Sequence, residues 1–178
     1  VSVLPEDPVL TAPSVGAQFE AAEANQWLGN PEFLSHESLH TLVAGMTLPN
    51  LLPRLKREAT VIMPADRLDL LPGVVMAHRS PDYGPLAALI LTGGFEVPES
   101  ISKLFADSEI DLPIAVTKGD TFPTAVALQG IRGTSTSSAR KIEVSRALFS
   151  QNVDEAALLV VIDPPRTEIR TPTMFEHQ

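Results

Sequence analysis

Residues 59–94, ATVIMPADRLDLLPGVVMAHRSPDYGPLAALILTGG, hold the stretch on which the fold turns. Two short runs, Ala59–Met63 and Leu86–Leu91, are apolar but for Thr60 and rich in aliphatic side chains. Each is followed by a loop of turn-forming residues, Pro64-Ala65-Asp66-Arg67 after the first and Thr92-Gly93-Gly94 after the second. Between the runs, the spacing predicts a helix through about His78. A continuous apolar strand is buried on both faces, and parallel sheets bury their strands in that way. Strand, loop, helix and strand in this order predict a βαβ unit with a right-handed crossover.

The same pattern repeats outward. Upstream, Leu39–Ala44 reads as a strand, Gly45–Pro49 as a loop and Leu51–Arg57 as a helix. Downstream, a helix from Glu99 to Ala106 follows Gly94. Pro113–Thr117 then reads as a strand, Lys118-Gly119-Asp120-Thr121 as a loop and Thr124–Ile131 as a helix. Ser14 caps a helix running through about Ala24, with Val15, Phe19 and Ala22 on one face. Gly29-Asn30-Pro31 is a turn. The opening, Val1–Pro13, carries Pro5, Pro8 and Pro13 and reads as an extended arm. After Gly133 the composition changes to a polar loop, residues 133–138, then helices over Ala139–Phe149 and Asp154–Ile162, then an aperiodic tail from Pro164. The predicted fold class is therefore α/β, a doubly wound parallel sheet with helices on both faces and C-terminal helices added.

Composition bounds the function. The chain has 178 residues with 13 Lys+Arg against 22 Asp+Glu, a formal net charge of −9. No basic stripe is present to neutralise phosphates, so a nucleic-acid partner is not expected. There is no cysteine, which excludes disulfides, thiolate zinc sites and cysteine catalysis. Apolar runs fall far short of the ~20 residues of a bilayer crossing, and no signal peptide opens the chain. A soluble cytoplasmic domain with no membrane partner is the expectation.

In an open parallel sheet, ligands collect at the carboxyl ends of the strands. The candidate ligand-binding or interface residues are therefore Gly45 and Thr47, Asp66 and Arg67, Thr92, Gly93 and Gly94, and Asp120 and Thr121. Each loop opens a helix, whose free N–H groups favour anions. Each residue type also has a purely structural use, Asp and Thr as helix caps and Gly in tight turns. Arg67 stands apart, because a guanidinium beside Asp66 can clamp a phosphate or carboxylate or bridge to a partner subunit. The segment His36-Glu37-Ser38-Leu39-His40 matches H-E-x-x-H, but a zinc site needs a helix there. Thr41-Leu42-Val43 favours a strand, which would hold His36 and His40 about 13 Å apart. No G-x-S-x-G elbow or Walker-type loop occurs, and no catalytic set emerges. Trp27 and Tyr83 read as packing residues.

Several of these motifs resemble a known family. Pro64-Ala65-Asp66-Arg67 followed by Thr92-Gly93-Gly94 resembles the DRTGG domain, whose name records separate Asp-Arg and Thr-Gly-Gly signatures. Val43–Met46 is similar to its Val-Gly-Ala-Met strand end, with the Gly-Ala order inverted as Ala44-Gly45. Asp120-Thr121-Phe122-Pro123-Thr124-Ala125 is similar to its Asp-Thr-Tyr-Glu-Thr-Ala helix start, with Pro123 in place of Glu. Ala65 replaces a usual glycine. The two ends resemble the flanks of the middle domain in long, multidomain bacterial phosphate acetyltransferases. The resemblance implies residues 1–13 as a linker from a preceding domain, residues 14–163 as the DRTGG-like domain, and residues 164–178 as a linker into a C-terminal catalytic domain. It also implies that the parent enzyme moves acetyl between coenzyme A and inorganic phosphate. Under it the present chain carries no catalytic residue, metal or cofactor of its own, coenzyme A being a substrate of the parent's catalytic domain. The implied role is allosteric control or assembly, as a homo-oligomer joined to its flanking domains. A ligand-sensing module for a nucleotide or small anion is the alternative.

Overall fold

The computed structural model describes residues 4–106, 108–133 and 138–154. The chain divides into two compact units, Glu6–Ser145 and a second made of Val1–Pro5 with Arg146–Gln178. The larger unit is described below. In chain order its elements are α1 (Pro8–Thr11), α2 (Val15–Ala21), β1 (Asn25–Leu28), a 3-10 turn (Pro31–Ser35) and β2 (His40–Val43). They continue with α3 (Leu48–Leu51), a second 3-10 turn (Leu52–Arg54), β3 (Ala59–Pro64), α4 (Leu71–Arg79), β4 (Ala88–Thr92), α5 (Glu99–Phe105), β5 (Ile114–Val116), α6 (Thr121–Gln129) and the start of α7 (Ala139–Asn152).

The five strands form one sheet in the order β1-β5-β4-β3-β2. β2, β3, β4 and β5 pair in parallel, with Thr60 opposite Ala88 and Leu91 opposite Val116. All five residues of β4 and the first five of β3 are buried, as the continuous apolar runs require. Their side chains still alternate. Val61, Met63, Leu89, Leu91 and Ile114 meet Leu51 of α3, Val74 of α4 and Phe105 of α5. Ile62, Ala88, Ile90 and Ala115 meet Val15 and Phe19 of α2 and Leu128 of α6. Helices thus cover both faces, and each large aliphatic side chain so buried contributes about 1.5–3 kcal/mol.

Local chemistry explains most boundaries. Ser14 Oγ accepts from the Ala17 amide at 3.2 Å and starts α2. The opening is not extended as expected, because Asp7 accepts from the Val9 amide at 2.8 Å and Pro8 fills the first position of α1. The helix expected over Leu51–Arg57 begins earlier, at Leu48, and tightens to a 3-10 turn where Pro53 removes an amide. α6 starts at Thr121, three residues before the expected Thr124, since Pro123 is compatible with a first turn.

One strand went unread. β1 pairs with β5 antiparallel, with Asn25 opposite Val116 and an irregularity between Gln26 and Leu28. The sheet is therefore mixed rather than wholly parallel. Residues 25–28 contain no β-branched side chain, and β5 supplies their hydrogen-bonding partner. The helix expected over Asp154–Ile162 and the tail from Pro164 lie outside the described residues, as do residues 134–137 of the polar loop.

Candidate functional site

The parallel strands all end at one edge, and their loops carry the nine candidate residues. Three consecutive crossovers, through α3, α4 and α5, lie on one face, whereas the helix after β5 lies on the other. The chain therefore leaves β4 and β5 toward opposite faces of the sheet, the kind of switch point at which open α/β sheets take ligands.

Backbone hydrogen bonds tie the loops after these two strands together. The Gly93 amide donates to Gly119 O at 2.8 Å and the Gly94 amide to Thr117 O at 3.0 Å. Gly93 and Gly94 have φ of 93° and 69°, values that favour glycine. Thr92 is fully buried, with Oγ1 3.3 Å from Met63 O and 2.7 Å from Thr121 Oγ1. Thr117 Oγ1 donates to Ala22 O at 2.6 Å and fixes β5 to the end of α2. Asp120 contributes its carbonyl, which accepts from the Thr124 amide at 3.1 Å, while its exposed side chain makes no capping hydrogen bond. Thr92, Gly93 and Gly94 thus meet Thr121, Gly119 and Thr117 in turn.

The Asp66-Arg67 turn joins this group through its backbone. The Ala65 amide donates to Thr92 O at 2.8 Å. Ala65 is buried in ordinary backbone geometry, so the glycine it replaces is not needed there. Asp66 is exposed. Arg67 pairs with Asp69, Nε to Oδ1 at 2.9 Å and Nη2 to Oδ2 at 3.1 Å. That hydrogen-bonded pairing raises the Arg67 pKa and lowers that of Asp69. A depressed carboxylate contributes stability above its unfolded pKa of about 3.9, and loses it as pH falls through the lower folded value. Because both groups are exposed, Arg67→Ala should leave thermal unfolding nearly unchanged at neutral pH. The small difference should vanish in acid, which melting curves at the two pH values check.

Gly45 and Thr47 stand apart, two strands away from β4 at the β2 edge. A Cβ on Gly45 would meet open space, and its φ is not in the left-handed region. Thr47 precedes α3, and its Oγ1 accepts from Asn50 Nδ2 at 3.1 Å.

The H-E-x-x-H segment has no helix. His36 ends a 3-10 turn and His40 begins β2. Glu37 is buried, accepts a hydrogen bond from Ser138 and faces Arg140 at 3.9 Å. Among the described residues no group of three or more His, Asp or Glu is placed to hold a metal. No helix among them is long and apolar enough to cross a membrane.

Two aromatic residues lie near the loops after β4 and β5, Trp27, which packs as the sequence suggests, and Phe95, which it does not single out. Trp27 of β1 sets its ring edge-on to Phe105, with centroids 6.4 Å apart and planes at 79°. Phe95, directly after the glycine pair, is 51% exposed. Its position beside Gly93-Gly94 was the available signal.

A 30% identical phosphate acetyltransferase of Nitratidesulfovibrio vulgaris matches 99% of this chain over 25% of its own length. One from Synechocystis is 32% identical over 84% of this chain and 22% of its own length. The chain thus spans about a quarter of these curated relatives. A crystal structure of the CBS and DRTGG domains of the regulatory region of Clostridium perfringens pyrophosphatase, complexed with the activator diadenosine tetraphosphate, superposes with a TM-score of 0.53. It is 16% identical and covers 83% of this chain and 65% of that one, a likeness of fold. The DRTGG domain model matches residues 19–131, from α2 through α6 and across all nine candidate residues, and the chain belongs to the DRTGG domain family.

Proposed function

We propose that this chain is a non-catalytic regulatory and oligomerisation domain of a phosphate acetyltransferase. The full-length enzyme would transfer acetyl between acetyl-CoA and inorganic phosphate, giving acetyl phosphate, with coenzyme A and phosphate bound by a separate catalytic domain. The observation that carries this reading is coverage: nearly the whole chain aligns with only a quarter of an enzyme of that name. A self-association surface fits the strand-end edge, where Phe122 at the start of α6 is 77% exposed and Met46 and Phe95, in the loops after β2 and β4, are each about half exposed. Large apolar side chains left in water along one edge are what an interface would cover. Sedimentation of the chain across a wide concentration range tests it. A stable dimer or larger species that Phe122→Ser weakens is the expected result. A monomer at every concentration, with Phe122→Ser unchanged, removes the assembly role.

A second reading, ligand sensing, is favoured by the groove that the β4 and β5 loops line together with β1 and α6. The pyrophosphatase regulatory region of the same fold was crystallised with a nucleotide activator. A ligand that binds only the folded state raises the melting temperature by mass action. Millimolar nucleotides, NADH, pyruvate and coenzyme A should include at least one that does so, and no shift with any of them removes this reading.

A further inference from the structure

A groove of about 920 Å³ lies between β1, the loop after β4, the end of β5 and α6. Drug-sized ligand sites occupy about 300–1,000 Å³. Its lining is chemically specific. Trp27, Phe95 and Val97 supply apolar and aromatic surface, and among the described residues Lys118 is its one cation and Glu23 and Glu96 its two carboxylates. Phe95 lies over the glycine pair, since a Cβ on Gly93 would come within 2.9 Å of its ring.

Glu23 is anomalous in a way that points to use. α2 ends in a Schellman turn, in which the Glu23 amide donates to Glu20 O at 3.0 Å and the Ala24 amide to Phe19 O at 2.8 Å. The residue between those two amides must adopt the left-handed conformation, a seat that glycine normally fills. Here it is glutamate, at φ 49°. Folding alone would favour glycine. Glu58 takes the same conformation at φ 57° outside the groove, where its carboxylate pairs with Arg140, whereas Glu23 lines the groove wall and is free to meet a ligand there.

We propose that this groove binds a nucleoside phosphate. The base lies against Phe95 and Trp27, the ribose hydroxyls donate to the carboxylates of Glu23 and Glu96, and the phosphate meets the Lys118 ammonium. Carboxylates accept from a ribose diol in the same way in dinucleotide folds. Two carboxylates against one ammonium disfavour a bare small anion, so the base and sugar are needed. The inference rests on the ligand-sensing reading and names its site and ligand class.

Trp27 is the only tryptophan of the chain, so its fluorescence reports on the groove directly. The full chain is titrated with adenosine 5′-monophosphate, with ribose 5-phosphate and inorganic phosphate as separate arms. A saturable change with the nucleotide alone is expected. Glu23→Gly should weaken it about tenfold or more while melting no lower than the unmodified chain. Lys118→Met should weaken the nucleotide but not adenosine. Loss of binding without loss of stability distinguishes a ligand contact from a structural role. No saturable change, or unchanged affinity in Glu23→Gly, overturns the proposal. If pyruvate or coenzyme A raises the melting temperature while Trp27 fluorescence stays fixed, the groove is overturned and ligand sensing stands. If no compound stabilises the chain, both fall together.

Discussion

Gly29→Ala is expected to destabilise the domain by about 4 kcal/mol, lowering the melting temperature by about 10 °C. Gly29 has φ 96°, so any side chain is strained there. A Cβ would also sit 2.6 Å from the Leu112 carbonyl carbon and 2.7 Å from Pro113 Cα, and closer still to Leu112 O. These are backbone atoms, which no rotamer change can move aside. The residues they belong to lead directly into β5, and Leu28 is opposite Ile114 in the ladder. Relief must therefore come from spreading β1 away from β5. Gly45→Ala is the matched control, because its Cβ points into open space and the backbone is ordinary. Thermal unfolding followed by circular dichroism should show a large loss in the first and almost none in the second. A loss below about 1 kcal/mol in Gly29→Ala would mean that the turn has room to reshape.

Thr60→Val is expected to cost about 2–3 kcal/mol although it changes almost no volume. Thr60 is fully buried in β3, and its Oγ1 lies 2.5 Å from Gln18 Oε1 and 2.9 Å from Ser38 Oγ. Gln18 and Ser38 are themselves buried. This small polar chain joins α2 to the sheet and to the segment before β2. Valine leaves the Gln18 carbonyl oxygen without its donor, and a buried acceptor without a partner costs far more than the bond itself contributes. The melting temperature should fall by about 6 °C. Thr60→Ser should retain most of the stability. Pairing Thr60→Val with Gln18→Leu should recover part of the loss, since no polar atom is then abandoned. An unaltered melting curve for Thr60→Val would show that the glutamine finds another donor.

The difference between what was and was not legible follows from which interactions are local. β3 and β4 were readable because burial on both faces forces an unbroken apolar run, and Ser14 because its hydroxyl caps the helix it precedes. That the loops after the parallel strands share one edge was legible as well, but which of them meet was not, because it depends on the strand order that places β4 beside β5 and β2 two strands away. β1 was hidden because Asn25-Gln26-Trp27-Leu28 has no strand pattern of its own, and becomes a strand by pairing with Val116 and its neighbours. Trp27 was legible as a packing residue, as its contact with Phe105 bears out, but with β1 unread its place in the wall of a groove was not. Glu23 was invisible for a sharper reason. The rule that places glycine in a left-handed helix end is broken there at a penalty of about 1 kcal/mol, and a broken rule cannot be inferred from the rule. Asp7-Pro8, by contrast, was a readable helix start that the surrounding prolines obscured.

The antiparallel seam between β1 and β5 also sets an order of events. β2 through β5 are laid down as successive neighbours, each joined to the last by a single crossover, so their pairings form over short lengths of chain. The seam instead brings residue 25 to residue 116 and closes a much longer loop. Closing it carries the larger entropic penalty, and such contacts form late. The element joined last is normally also the first to open in native fluctuations. Amide exchange should therefore be fastest along Asn25–Leu28 among the strands, and the wall carrying Trp27 should be completed only after the other four strands are in place.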